Sequence, residues 1–237
     1  MLFDLAPLDP QPQTLGTDGH RARMRTRLMT GGPDALADHE MLEMVLFLAL
    51  PRRDTKPLGR ALLSVFGDFA SVIAAPPADL MRIDGLGEAG TAALKLVQAA
   101  AHRLAKGQIR RQPILANWPQ LTDYMLATLA HEKTEQCRVL YLDSANRLLA
   151  DEILGRGTIN HTPVYPREVI RRGLELHAVA FVLAHNHPSG TPHPSREDIV
   201  MTKALRAAAQ TLGIELIDHL IVAGEEVVSF RQQGLLN

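Results

Sequence analysis

Apolar residues recur three and four positions apart through the first half of the chain. Leu42, Val45, Leu46 and Ala49 form one such set, and Leu58, Leu62, Val65 and Phe66 another, the spacing that lines one face of a helix. Breakers separate the runs at Gly31-Gly32-Pro33, Pro51, Gly67 and Pro76-Pro77. The pattern predicts a small all-helical domain of four or five helices over residues 20–106. Ahead of it, residues 1–19 carry Pro7, Pro10 and Pro12 with little periodicity and read as a flexible leader. Residues 107–119 turn to Gly, Gln, Arg and Pro, which suits a linker, and 121–130 read as one more helix.

After Glu135 the pattern changes. Residues 138–143 and 148–154 read as two strands joined by the turn Ser144-Ala-Asn-Arg147, a hairpin. Pro166 opens a helix through 176, and 178–184 is a continuous apolar run of strand length, as expected of a strand buried on both faces. A helix over 195–212 stops at Gly213, a natural residue for the position after a helix end. Residues 214–222 and 227–230 close the chain as strands. The fold class is therefore a helical N-terminal domain followed by a mixed α/β domain over 120–237. No internal repeat of fixed period is visible.

Composition narrows the function. Net charge is −1 and the pI near 6.8, with 14 basic against 12 acidic residues in 1–112 and 11 against 14 in 113–237. Neither half carries the excess of a globally electrostatic nucleic-acid binder. Aromatic residues make up 4%, too few for a face built from stacked rings. The longest strongly apolar run, 41–50, is broken by Glu43 and falls far short of the ~20 residues that span a bilayer, so no membrane partner is expected. The start Met1-Leu2-Phe3-Asp4 lacks a basic, apolar secretory pattern, and the single Cys137 cannot make an internal disulfide, which together suit the cytoplasm. Seven of the ten histidines lie from His131 onward.

The chemistry concentrates in 184–198. If the buried strand continues through position 187, its period of two puts the imidazoles of His185 and His187 on one face. The loop turns back through Pro192 and Pro194, and Ser195 starts a helix with Asp198 in its first turn. Two imidazole nitrogens and one carboxylate oxygen suit a catalytic Zn²⁺, since three protein ligands leave the fourth position for water. A water whose pKa is lowered toward ~7 is a hydroxide source at neutral pH. A plainer alternative stands beside this one: Ser195-x-x-Asp198 has the form of a helix capping box, and His-x-His could be two hydrogen-bonded residues at a strand end. His193 reads as a solvent-facing loop residue, His219 as a hydrogen-bonded core or rim residue, and Cys137 as packing.

The string His185, His187, Pro188, Ser195, Asp198 resembles the JAMM signature of the MPN (JAB) metalloprotease superfamily, matched without a gap. The longer His185-Asn-His-Pro-Ser-Gly190 with Pro194-Ser-Arg-Glu-Asp198 resembles the RadC branch, as do Tyr165-Pro-Arg-Glu168, Asp218-His-Leu220, Val228-Ser-Phe230 and Gly234-Leu235. The resemblance implies an MPN/JAB-like layered α/β domain with one Zn²⁺ on His185, His187 and Asp198. It also implies Glu152, from an earlier strand, as general acid/base and Ser195 as a donor to the developing oxyanion. The substrate it implies is a peptide or isopeptide bond of a protein partner. Zinc proteases of the superfamily often carry Ser or Thr between the two histidines, where this chain has Asn186. The family name carries a DNA-repair association, so a non-catalytic DNA-associated or protein-binding module that retains zinc is the alternative.

In the first half, Leu80-Met-Arg-Ile83-Asp-Gly85-Leu86-Gly87 followed by Leu94 resembles a helix-hairpin-helix element. Gly85 and Gly87 would let the backbone turn tightly and offer N–H groups to a DNA phosphate, giving weak, non-specific binding. The copy departs from the binding pattern, because Glu88, Ala89 and Gly90 supply no cation. Arg21, Arg23, Arg25 and Arg27 form a denser basic patch, which a solvated helix would also show.

Overall fold

The computed structural model describes residues 17–110, 113–116, 118–156 and 164–236. Its contacts divide the chain into two units, Met1–Leu96 and Val97–Asn237.

The first unit is helical: α1 (Thr17–Gly31), α2 (Asp38–Ala49), α3 (Lys56–Phe66), α4 (Phe69–Ala74), α5 (Pro77–Leu80) and the start of α6 (Gly87–Arg110). Six helices stand among the described residues where four or five were expected. The extra ones are short and sit between the breakers. The Asp68 side chain caps α4 by accepting from Ser71 N at 2.7 Å, and α5 is a single turn opened by Pro77. The leader's expected end also shifts, since α1 begins at Thr17; its first 16 residues lie outside the described residues. The core gathers Leu42, Leu46, Leu58, Leu62, Leu80, Leu86 and Leu94. Glu43 is buried among them, and His20 Nε2 lies 3.0 Å from its carboxylate and satisfies it.

The second unit begins inside α6. The helix does not stop at Lys106 but runs through Gly107 to Arg110, into the segment that composition assigns to a linker. Ile109, buried against Ile114, Leu121 and Tyr124, supplies the reason: its burial outweighs the ~1 kcal/mol cost of one helical glycine. A 3₁₀ turn at Ile114–Ala116 leads into α7 (Trp118–Leu129). Then come β1 (Gln136–Leu142), β2 (Leu148–Arg156), α8 (Pro166–Glu175), β3 (Ala180–Asn186), α9 (Arg196–Thr211), β4 (Glu215–Ala223) and β5 (Glu226–Ser229).

These strands form one mixed sheet in the order β2-β1-β3-β4-β5, with only the β3–β4 pair parallel. Alternation sends Leu140, Leu142, Val182 and Ala184 to the face covered by α7, and Val139, Tyr141, Phe181 and Leu183 to the face covered by α8 and α9. β3 is therefore buried along its whole length. The β1–β2 turn is held by Asp143, whose carboxylate accepts from Ala145 N (2.8 Å) and Arg147 N (2.9 Å). On the α7 face of β2 the Asp151 side chain is fully enclosed. It is paired with Arg138 (2.8 and 3.1 Å), with the Tyr124 hydroxyl, and with Lys106 at 3.4 Å. Among the described residues no helix is long and apolar enough to cross a membrane.

Candidate metal centre

The site forms where β3 ends beside α9. Phe181, Leu183 and His185 share the face turned to α8 and α9, and His187 follows one residue beyond the strand, its N–H bonded to Val222 O at 2.8 Å. That bond carries the β3–β4 ladder one step further, so the period of two still brings His187 round beside His185. Gly190 takes φ +75° in the turn back, a left-handed conformation that glycine adopts without strain. Ser195 then caps α9, accepting from Asp198 N at 3.0 Å, while Asp198 Oδ2 accepts from Ser195 N at 2.8 Å. The capping box anticipated from the sequence is present, and the same aspartate faces both imidazoles.

Ligand atoms of His185, His187 and Asp198 all lie within 4.8 Å of one another. His185 Nε2 is 2.9 Å from His187 Nε2, 3.3 Å from Asp198 Oδ1, and His187 Nε2 is 3.4 Å from Asp198 Oδ2. Proton placement follows from the acceptors around the rings. His187 Nδ1 sits 2.7 Å from the Thr191 carbonyl, which only accepts, so Nδ1 carries a proton and in the neutral ring Nε2 presents a lone pair. His185 Nδ1 lies 2.7 Å from His219 Nε2, and with a proton on that Nδ1 its own Nε2 is a lone pair as well. With both rings neutral, two lone pairs 2.9 Å apart repel unless a proton or a metal cation lies with them, so the donor set fits a divalent ion. The carboxylate is charged to match. Burial opposes its ionisation, but the neighbouring His185 and His187 imidazoles and the Ser195 hydroxyl outweigh burial and hold Asp198 far below the usual carboxylate range. Asp198 in turn raises His187 above the ordinary imidazole value, with burial opposing.

Asn186 has a structural task. Its Oδ1 accepts from Gln136 N (2.8 Å) and its Nδ2 donates to Glu132 O (3.0 Å) and Thr134 O (3.2 Å), so it ties the α7–β1 connection to the end of β3. Serine or threonine at this position could not span all three.

His219, completely buried on β4, lies under His185 and stacks on Phe230 with ring centroids 4.4 Å apart. Burial drives its imidazole well below the ordinary value, so it is neutral. Its other nitrogen meets the Thr202 hydroxyl at 2.6 Å. Next to it, Asp218 accepts from His219 N (2.7 Å), Arg231 N (3.0 Å) and the Ser229 hydroxyl, fastening the C-terminal segment to β4. Burial pushes Asp218 up, against the pull of those three bonds. Sequence reasoning took His219 as a hydrogen-bonded core or rim residue but gave it no link to the candidate ligands. Thr202, four residues after Asp198 on the same helical face, is the signal that could have supplied one.

Glu152 is not brought into the cluster. It pairs with Val139 in the β1–β2 register and so stands on the same sheet face as His185, with β1 between their strands. Its carboxylate is held in a fork by Arg172 of α8 (2.6, 2.9 and 3.0 Å), which also reaches Glu175 at 3.1 Å. Those two carboxylates hold the Arg172 guanidinium above its ordinary range. Arg172 escaped the sequence reading because it sits on the polar face of α8. The Ser195 hydroxyl donates to Asp198 Oδ2 at 2.6 Å. His193 is exposed and outside the cluster. Cys137 is buried, and burial, with Glu135 and Asp198 nearby, pushes its thiol far above the ordinary value, consistent with packing rather than reactivity.

Beside α9 lies a cleft of about 510 Å³ lined by Val164, Pro166, Val200, Met201 and Ala204, with Arg196 and Glu197 next to Asp198 in sequence. In the first unit, Gly85 (φ +80°) and Gly87 (φ +61°) make the turn between α5 and α6, and Arg53 donates to the Gly85 carbonyl. Arg21 caps the carbonyls of Pro51 and Arg53, and Arg27 pairs with Glu40, so half of the basic patch serves the unit's own fold.

A mixed five-stranded sheet with two histidines at the end of β3, facing an aspartate in the first turn of α9, defines a JAB-like domain with a candidate metal site. The chain belongs to the RadC-like JAB domain family, which residues 115–235 match. A UPF0758 protein of Rhodobacter capsulatus is 54% identical over 213 residues, 90% of this chain and 100% of its own length. Another, from Ruegeria pomeroyi, is 51% identical over 217 residues, 92% of this chain and 97% of its own.

Proposed function

We propose that the chain is a zinc-dependent hydrolase of peptide or isopeptide bonds, with His185, His187 and Asp198 as the metal ligands. The observation that carries this reading is the convergence of two imidazole Nε2 atoms, 2.9 Å apart, and the Asp198 carboxylate 3.3 and 3.4 Å from them. Bound there, Zn²⁺ would supply a Lewis acid and a water acidified toward pH ~7.

The remaining work falls to side chains. Adjacent strands lie ~4.8 Å apart, so β2 and β3 stand ~10 Å apart across β1, room for an attacking water and a scissile carbonyl between Glu152 and the cluster. Glu152 accepts the water's proton on a carboxylate oxygen and returns it to the leaving amine, while Arg172 keeps the carboxylate oriented. Ser195 turns its hydroxyl proton from Asp198 to the developing oxyanion. The apolar cleft along α9 suits a substrate side chain. The alternative, a non-catalytic DNA-associated module, draws on the Gly85–Gly87 turn with Arg53 beside it. Glu88 in the first turn of α6 weighs against it by meeting a phosphate with like charge.

The test is a panel of peptide and isopeptide substrates offered to the zinc-loaded chain. Cleavage is expected with zinc, lost on chelation and lost in His187→Ala. Cleavage that persists in His187→Ala after chelation, or no cleavage of any substrate by zinc-loaded protein, overturns the reading.

A further inference from the structure

We propose that Thr202 and His219 are positioning residues of the centre, together setting the proton on His185 Nδ1 and so keeping His185 Nε2 free for a metal. The proposal rests on the metal reading above and adds what makes His185 competent. Metal-bound imidazoles generally donate their second N–H to an oxygen or other acceptor that fixes the ring. Here the acceptor is another imidazole, whose own state must first be fixed.

The chain of bonds has one consistent direction. The Asp198 backbone carbonyl only accepts, and Thr202 Oγ1 lies 2.6 Å from it, so the single hydroxyl proton of Thr202 goes there. Thr202 Oγ1 is then an acceptor toward His219 Nδ1 at 2.6 Å, which places the His219 proton on Nδ1. His219 Nε2 is left as a lone pair and takes the N–H of His185 Nδ1 at 2.7 Å. The relay begins at the backbone of one ligand, Asp198, and ends on the ring of another, His185. Thr202, His219 and His185 are all 2% exposed or less, so water does not compete for these bonds, and Phe230 stacked on His219 holds the ring plane. His187 needs no such relay, because Thr191 O fixes it directly.

Without the hydroxyl, His219 Nδ1–H loses its acceptor. The opposite arrangement, with His219 donating from Nε2 to His185 Nδ1, then becomes favourable and puts the His185 proton on the nitrogen that should bind metal. Thr202→Val is nearly isosteric and tests this directly; Thr202→Ser keeps the hydroxyl. Zinc affinity measured by chelator competition is expected to fall ~10- to 100-fold in Thr202→Val and to recover in Thr202→Ser. Long-range ¹H–¹⁵N spectra of the metal-free chain should show His185 protonated at Nδ1 in the wild type and in Thr202→Ser, and at Nε2 in Thr202→Val. Equal loss of affinity in both variants, unchanged affinity in Thr202→Val, or a wild-type His185 protonated at Nε2 overturns the relay. The spectra read the relay without any metal, so a wild type that binds no zinc but shows His185 Nδ1–H would sink the metal reading and leave the relay standing.

Discussion

Asp151→Asn is expected to lower the unfolding free energy by about 3–5 kcal/mol, the usual cost of removing one partner from a buried ion pair. The Asp151 side chain is fully enclosed and its Arg138 partner is 12% exposed, so the substitution strands a guanidinium where water cannot reach it well. The Tyr124 hydroxyl and Lys106 lose the same acceptor charge. Burial opposes the Asp151 charge, yet Arg138 and Tyr124 outweigh it and hold the carboxyl below its usual value. The sign for pH follows. A depressed carboxylate contributes its full stability above the unfolded-state pKa, near 3.8, and loses it as pH falls through the lower folded value. The gap between wild type and Asp151→Asn in urea unfolding should therefore be constant at neutral pH and shrink below about pH 4. A gap under ~1 kcal/mol at pH 7 would class the network with exposed pairs and contradict its role.

One residue further along the same strand, the expected effect changes kind. On the proposed reading, Glu152→Gln keeps the fold and the metal but slows hydrolysis by ~10²- to 10⁴-fold, because the amide can hold a water and cannot take its proton. Asp151 and Glu152 point to opposite faces of β2, one into the α7 layer and the other toward α8 and the centre. The pair thus separates folding from chemistry within two positions. Steady-state rates on a cleavable peptide, with zinc content measured on the same samples, check it. A variant as fast as wild type at full zinc loading removes Glu152 from the role of base.

The alternation and the 3.6-residue spacing made the strands, the helices and the shared face of His185 and His187 legible in the sequence, because each follows from local periodicity; Asp198 joined them through the family resemblance. What escaped depends on contacts between distant positions. Gly107 read as a linker residue until Ile109 was found buried two places on. Asn186 looked like a departure at the site, yet it serves the Glu132–Gln136 connection some fifty residues earlier in the chain. His219 and Thr202 meet only because β4 lies beside β3 and α9 packs over both. Arg172 reaches Glu152 across a helix–strand contact that no spacing announces.

The most direct measurement of the central claim is the zinc content of the chain after gel filtration, in the wild type and in His185→Ala/His187→Ala. One zinc per wild-type chain and none in the double variant is the predicted result; equal zinc in both, or a wild type that takes up none from a zinc-containing buffer, would contradict it.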